Sequence, residues 1–136
     1  MRFDLPAPDD ETEPFWAAAR DRRLLFKRCA DCGAPHFYPR PFCPRCWSAN
    51  VAWEEASGDA VLYTWSVVHQ NDLPPFPEQV PYVAAVVDLA EGPRLMTNVV
   101  ECDPATLAVG MALRVAYEAR TDEVTVPVFI PAPAPA

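Results

Sequence analysis

CADCGAPHFYPRPFCPRC, residues 29–46, carries two Cys-x-x-Cys pairs, Cys29/Cys32 and Cys43/Cys46, with ten residues between them. Each pair fits a turn in which two thiolates converge on one ion, and two such turns supply the four soft ligands of a tetrahedral site. The spacing therefore predicts a zinc ribbon with Cys29, Cys32, Cys43 and Cys46 as ligands: a loop-rich segment organised by a metal instead of a core. Four thiolates leave no open position for a substrate water, so the expected role of the ion is structural.

Zn2+ is the first reading and iron the second, because iron is held by paired cysteine turns of the same kind. Disulfides are the weaker alternative. The chain opens on MRFDLPAPDD with no apolar signal segment, and a fifth cysteine, Cys102, has no partner. Both point to a reducing, cytoplasmic setting. His36, four residues beyond Cys32, is a reserve ligand that four thiolates make unnecessary. Gly33 follows the first pair and is free to adopt the left-handed conformation that turns amides toward sulfur. Trp47 follows the second pair and is read as packing beneath the ribbon.

Working outward, 136 residues leave room for one modest domain beside the ribbon. Apolar residues make up 51% of the chain, enough for a core, yet no apolar run approaches the length of a membrane span. The seventeen prolines cluster in the N-terminal segment, the ribbon, LPPFPEQVP and PAPAPA, which marks loops and tails. The net charge of -8 hides an asymmetry. Residues 14–50 hold Arg20, Arg22, Arg23, Lys27, Arg28, Arg40 and Arg45 against Asp21 and Asp31. Residues 51–131 are strongly acidic, with only Arg94, Arg114 and Arg120 as cations, and so repel a phosphate backbone. The basic segment reads as a solvated face, or as a contact for an acidic partner or a phosphorylated cofactor.

Residues 1–13 read as a mobile acidic arm. A helix is predicted from Glu13 to Asp21, with Thr12 as its cap and Pro14 in its first turn. Phe15 and Trp16 on it either dock on their own fold or mark a partner surface. Residues 14–28 are then the helix and a lead-in strand, LLFKR; 29–50 the ribbon; 51–131 a barrel; 132–136 a Pro/Ala tail. Within the barrel, Val61, Tyr63, Trp65 and Val67 alternate with Leu62, Thr64 and Ser66, and LRVAYEA alternates likewise. YVAAVVDL is apolar on both faces, RLMTNVV is mixed, and Pro127 gives VTVPVFI an edge position. DPATLAVG places Asp103 as the cap of one helical turn begun by Pro104. The expected fold is mainly β: an N-terminal helix, a zinc ribbon and a small Greek-key barrel of the OB type.

No catalytic residue stands out. The three serines lie in no Gly-x-Ser-x-Gly elbow, and the four glycines are isolated, so there is no phosphate loop. Nothing in the spacing joins Cys102 to His69. His69 reads as a strand-end residue, with a rim position facing a partner as its alternative. Asp72, Glu78 and Asp88 read as solvated.

The order of these features resembles a family of bacterial and archaeal proteins that join a rubredoxin-like zinc ribbon to an OB fold and are associated with acyl-CoA metabolism. The resemblance rests on FWAAARDRRLLFKRCADCG, YPRPFCPRC, WEEASGDAVLYTWSVVH, PYVAAVVDLAEGPRLMTNVVE and DPATLAVGMALRVAYE, and covers about residues 14–131. The family usually has glycine where this chain has Trp47. The resemblance implies a non-catalytic subunit that binds a thiolase-fold enzyme, such as a lipid-transfer-protein-like thiolase acting as an aldolase in steroid side-chain breakdown, and helps complete its acyl-CoA site. A hot-dog-fold enoyl-CoA hydratase is the alternative partner. A free-standing acyl-CoA or nucleic-acid binding module is a further alternative, and the acidic barrel disfavours nucleic acid. Phe15, Trp16 and His69 are the expected partner contacts.

Overall fold

A computed structural model describes residues 4–132. Helix α1 (Glu13–Arg20) forms where Pro14 opens the first turn and an alanine run follows. Thr12, the expected cap, already has helical backbone angles and its side chain caps nothing. Asp9 locks the chain one turn earlier. Its carboxylate accepts from the Thr12 amide at 2.9 Å, while the Asp9 amide donates to the Thr12 hydroxyl at 3.0 Å. The short aspartate side chain reaches an amide ahead of it in the chain, which is what makes it a turn-former. The same Thr12 amide holds the Asp9 carboxyl below its ordinary range. At the other end Arg23 N–H bonds Ala18 C=O at 2.9 Å and Arg22 N–H bonds Ala19 C=O at 3.0 Å, with Arg22 at φ +59°. This is a Schellman stop. The helix buries Phe15, Ala18 and Ala19.

Strands β1 (Leu25–Cys29), β2 (Pro35–His36) and β3 (Val51–Glu55) form an antiparallel sheet in the order β2-β1-β3. Residues 51–55, expected at the start of the barrel, are instead laddered to the lead-in strand, from Leu25 opposite Glu55 to Cys29 opposite Val51. The two metal turns cause this: they bring the chain back beside its entry, where Ala30 N–H meets Asn50 C=O at 2.8 Å.

Five strands then close a barrel in the order β4-β5-β6-β8-β7: β4 (Asp59–Val68), β5 (Tyr82–Leu89), β6 (Arg94–Val99), β7 (Ala112–Ala119) and β8 (Thr125–Pro131). The pairs are antiparallel except β6 with β8, which meet in parallel at Val99 and Phe129. This is an OB-type barrel. Pro127 lies where β8 is laddered to β7 alone, which suits its missing N–H. The single face expected for Val61, Tyr63, Trp65 and Val67 is broken by a bulge, since Leu62 pairs with Val87 but Thr64 with Val86. One extra residue inverts the phase. Ala60 and Leu62 are buried before it and Trp65 and Val67 pack on the core after it, while Val61 and Tyr63 stay outside. Asp103 caps a 3-10 turn, Pro104–Thr106, between β6 and β7 by accepting from Ala105 N–H at 3.0 Å, as expected.

One buried cluster runs through both parts of the chain, joining Phe15, Leu24 and Phe26 to Leu62, Val87, Leu113 and Phe129. The acidic N-terminal segment is tied down too. Asp4 faces Arg120 at 3.9 Å, and Glu11 pairs with the buried ammonium of Lys27, which also donates to Arg40 C=O at 3.1 Å. A lysine is buried only with such partners. Residues 4–12 are therefore a strap between barrel and ribbon and not a mobile arm; residues 1–3 and 133–136 lie outside the described residues. Among the described residues no helix is long and apolar enough to cross a membrane.

Gly58 gives the barrel a sensitive point. It lies at φ +93°, its C=O accepts from Val115 N–H at 2.8 Å, and an added Cβ would stand 2.7 Å from Val115 Cγ1. Gly58→Ala combines left-handed strain with overpacking and is expected to lower unfolding free energy by about 2–4 kcal/mol. Urea denaturation checks this; a loss below about 0.5 kcal/mol would show that Val115 yields freely.

Candidate metal centre

The four cysteines of the two pairs meet. Their sulfurs all lie within 4.8 Å of one another, with Cys29 and Cys43 buried and Cys32 and Cys46 exposed. Cys29 Sγ is 3.6 Å from Cys46 Sγ, and Cys32 Sγ is 3.6 Å from Cys43 Sγ. A tetrahedron with Zn–S of about 2.3 Å has edges of about 3.8 Å, so the cage fits the ion.

The two turns have one construction. Gly33 N–H donates to Cys29 C=O at 2.9 Å, and Trp47 N–H donates to Cys43 C=O at 2.9 Å. Within each, an amide addresses the first sulfur: Cys32 N–H to Cys29 Sγ at 3.5 Å and Arg45 N–H to Cys43 Sγ at 3.4 Å. Asp31 joins the turns by accepting from Ser48 Oγ and, at 3.3 Å, from Asn50 Nδ2. The amides favour thiolate. Cys43 is held down to about 7, first by the Cys46 amide, and Cys29 is lowered, first by the Cys32 amide. Cys46 is pulled down by the Ser48 amide but pushed up to about 12 overall, by its proximity to Cys29 and then by burial and the other two sulfurs. Four thiolates this close need a cation, and all four are then occupied as ligands. Such a site braces the fold.

The other residues singled out from the sequence scatter, and the reserve ligand His36 stays outside the cage: it is buried on β2 opposite Lys27, and burial first and then Lys27 and Arg40 hold its pKa below the usual value. Trp47 does not pack beneath the ribbon; its ring is 73% exposed. Phe15 is only 6% exposed, edge-on to Trp16 at 4.9 Å and to Phe37 at 5.4 Å, a core residue that also lines an apolar groove. His69 is exposed just beyond β4. Cys102 lines a cavity of about 590 Å3 with Tyr82, Asn98 and Glu118, whose walls do not include His69; burial first, then Asp103, raises its thiol pKa. Asp88, expected to be solvated, holds Arg94 at 2.7 and 3.2 Å. The sequence reading missed an apolar groove of about 410 Å3 where Trp16, Phe37, Tyr38 and Met96 face Val126 and Val128. Its signals are the Phe15–Trp16 pair, one of whose two readings is a partner surface, and the aromatic pair in HFYP; Met96 reads as an ordinary outward strand residue.

Residues 16–52 match the rubredoxin-like zinc ribbon domain of ChsH2, and residues 53–118 match the C-terminal OB-fold domain of ChsH2. The chain belongs to the ChsH2/DUF35 family. A DUF35 domain-containing scaffold protein of Methanocaldococcus jannaschii is 35% identical over 105 residues, 75% of this chain and 73% of that protein. A probable enoyl-CoA hydratase alpha subunit of Thermomonospora curvata is 38% identical over 93% of this chain, which spans only 39% of that relative's length. Among solved structures, a chain of the Ltp2-ChsH2(DUF35) aldolase superposes with a TM-score of 0.83 at 37% identity, covering 93% of this chain and 98% of that one. In this family the cage is the zinc-ribbon site.

Purified protein is expected to carry about one zinc per chain and to be colourless, since a d10 ion has no visible bands. Cys43→Ser should bring metal content near zero and unfold the ribbon. Elemental analysis with circular dichroism checks both; a metal-free protein with an intact ribbon would refute the site, and a coloured one would show iron.

Proposed function

We propose that this chain is a non-catalytic accessory subunit that binds and stabilises a thiolase-fold enzyme and helps complete its acyl-CoA site, in lipid or steroid side-chain degradation. The observation that carries the reading is the end-to-end likeness, 98% of that chain at a TM-score of 0.83, to the DUF35 component of an aldolase named for two parts, Ltp2 and ChsH2. The architecture supports it. The four clustered cysteines are a closed ligand set, which gives the metal a bracing role. Cysteines gathered as a metal cage suit a reducing setting, which we assign to the cytoplasm. Phe15 and Trp16 are retained as partner contacts because both line the apolar groove, with Tyr38 added beside them, and His69 because it is exposed.

A second reading, partnership with an enoyl-CoA hydratase, is favoured by the Thermomonospora relative. Both are tested by co-expressing the chain with a lipid-transfer-protein-like thiolase and, separately, with a hot-dog-fold hydratase subunit. The expected result is co-elution with the thiolase-fold enzyme and a rise of about tenfold or more in acyl-CoA turnover over either protein alone. Separate elution with an unchanged rate contradicts the proposal, and co-elution with the hydratase alone shifts it to the second reading.

A further inference from the structure

We propose that the outer end of the second metal turn, Phe42 and Trp47 with Arg45 between them in the chain, is a docking surface for an acidic protein partner. The proposal rests on the accessory-subunit reading for the existence of a partner, and on the ribbon's own geometry for where that partner binds.

The first observation is a residue that the backbone does not favour. Gly33 and Trp47 hold equivalent places in the two turns, at φ +77° and +66°. Glycine adopts this conformation freely; a bulky L-residue there is strained, and such strain persists where the surroundings or a function require the side chain. The Trp47 ring is 73% exposed, and its aromatic contact is Phe42, stacked at 5.4 Å and 17°. Two stacked rings on a rigid, proline-flanked, metal-braced turn form a preorganised apolar plate of the kind that anchors interfaces.

The second observation is charge. Four of the seven cations of residues 14–50 are answered internally: Arg20 by Glu13, Arg23 by Glu55, Lys27 by Glu11 and Arg28 by Glu54. The three left are Arg22, at the helix stop, and Arg40 and Arg45, on either side of Phe42 in the chain; all three are exposed and have no ion pair among the described residues. In a chain of net charge -8 carboxylates are plentiful, yet among the described residues none is paired with Arg40 or Arg45. An aromatic plate with unpaired arginines close to it in the chain complements an apolar pocket rimmed by aspartate or glutamate. A stacked nucleobase is the rival occupant, and the overall negative charge opposes a polyanion.

Trp47→Gly separates docking from folding, because it removes the plate while relieving the backbone. The variant should keep its zinc and melt at or above the wild-type temperature. Its Kd for the co-expressed thiolase-fold enzyme, measured by calorimetry, should rise about tenfold or more. Arg45→Glu should weaken the complex comparably at low salt and less at high salt, as a charge contact does. A wild-type complex whose Kd neither variant changes overturns the docking surface and leaves the accessory reading standing. A wild type that binds no thiolase-fold enzyme overturns that reading, and this proposal with it. Binding of oligo(dT) that is lost in Trp47→Gly assigns the surface to nucleic acid and overturns the acidic-protein assignment.

Discussion

Four sulfurs drawn within 4.8 Å of one another hold together a segment that has little apolar interior of its own. Between Cys29 and Asn50 the only regular structure is a two-residue strand, so sheet hydrogen bonds and burial alone would not offset the entropy of ordering it. The metal cage closes two turns onto each other. The chain is then obliged to return alongside its own entry strand, and β3 finds β1. Everything that the ribbon presents to the rest of the molecule follows from that return: the buried Phe26, the Lys27 ammonium, and the start of the barrel at Asp59.

The barrel does not merely follow the ribbon. Phe15, Leu24 and Phe26 share one core with Leu62, Leu113 and Phe129, and the strap of residues 4–12 is fastened at Arg120 on one side and Lys27 on the other. Removing Glu11 would leave a buried ammonium without its counter-charge, which is why an acidic N-terminal segment is structural here. The basic character of residues 14–50 is mostly answered by nearby glutamates, and what remains unanswered is Arg22 at the helix stop and the two arginines on either side of Phe42 in the chain. A net charge summed over a segment conceals that distinction.

Much of this was legible in the sequence because it depends on short-range rules. Cys-x-x-Cys spacing, a strand at Leu113 and Asp103-Pro104 as a capped turn each need only a few neighbouring residues; the alternation along that strand stops at Arg114, since residues 115–118 are all half-buried and Ala119 is exposed. What the sequence hid depends on the third dimension. Thr12 and Asp9 are both good caps, and only the backbone angles decide between them. The bulge at Tyr63 inverts the phase of β4 without any glycine to announce it. The docking of Glu11 on Lys27 links residues sixteen apart that no periodicity connects. Trp47 reads as an ordinary core residue until its left-handed backbone and exposed ring are seen together.

Hydrogen exchange of the zinc-loaded and chelator-treated protein, resolved along the chain, tests most directly the claim that the metal organises the ribbon while the barrel strands hold without it. The account predicts that removing zinc strips protection from residues 25–55 while Val83, Ala85 and Val87 of the central barrel strand keep theirs. Unchanged protection across residues 25–55 without metal would contradict it.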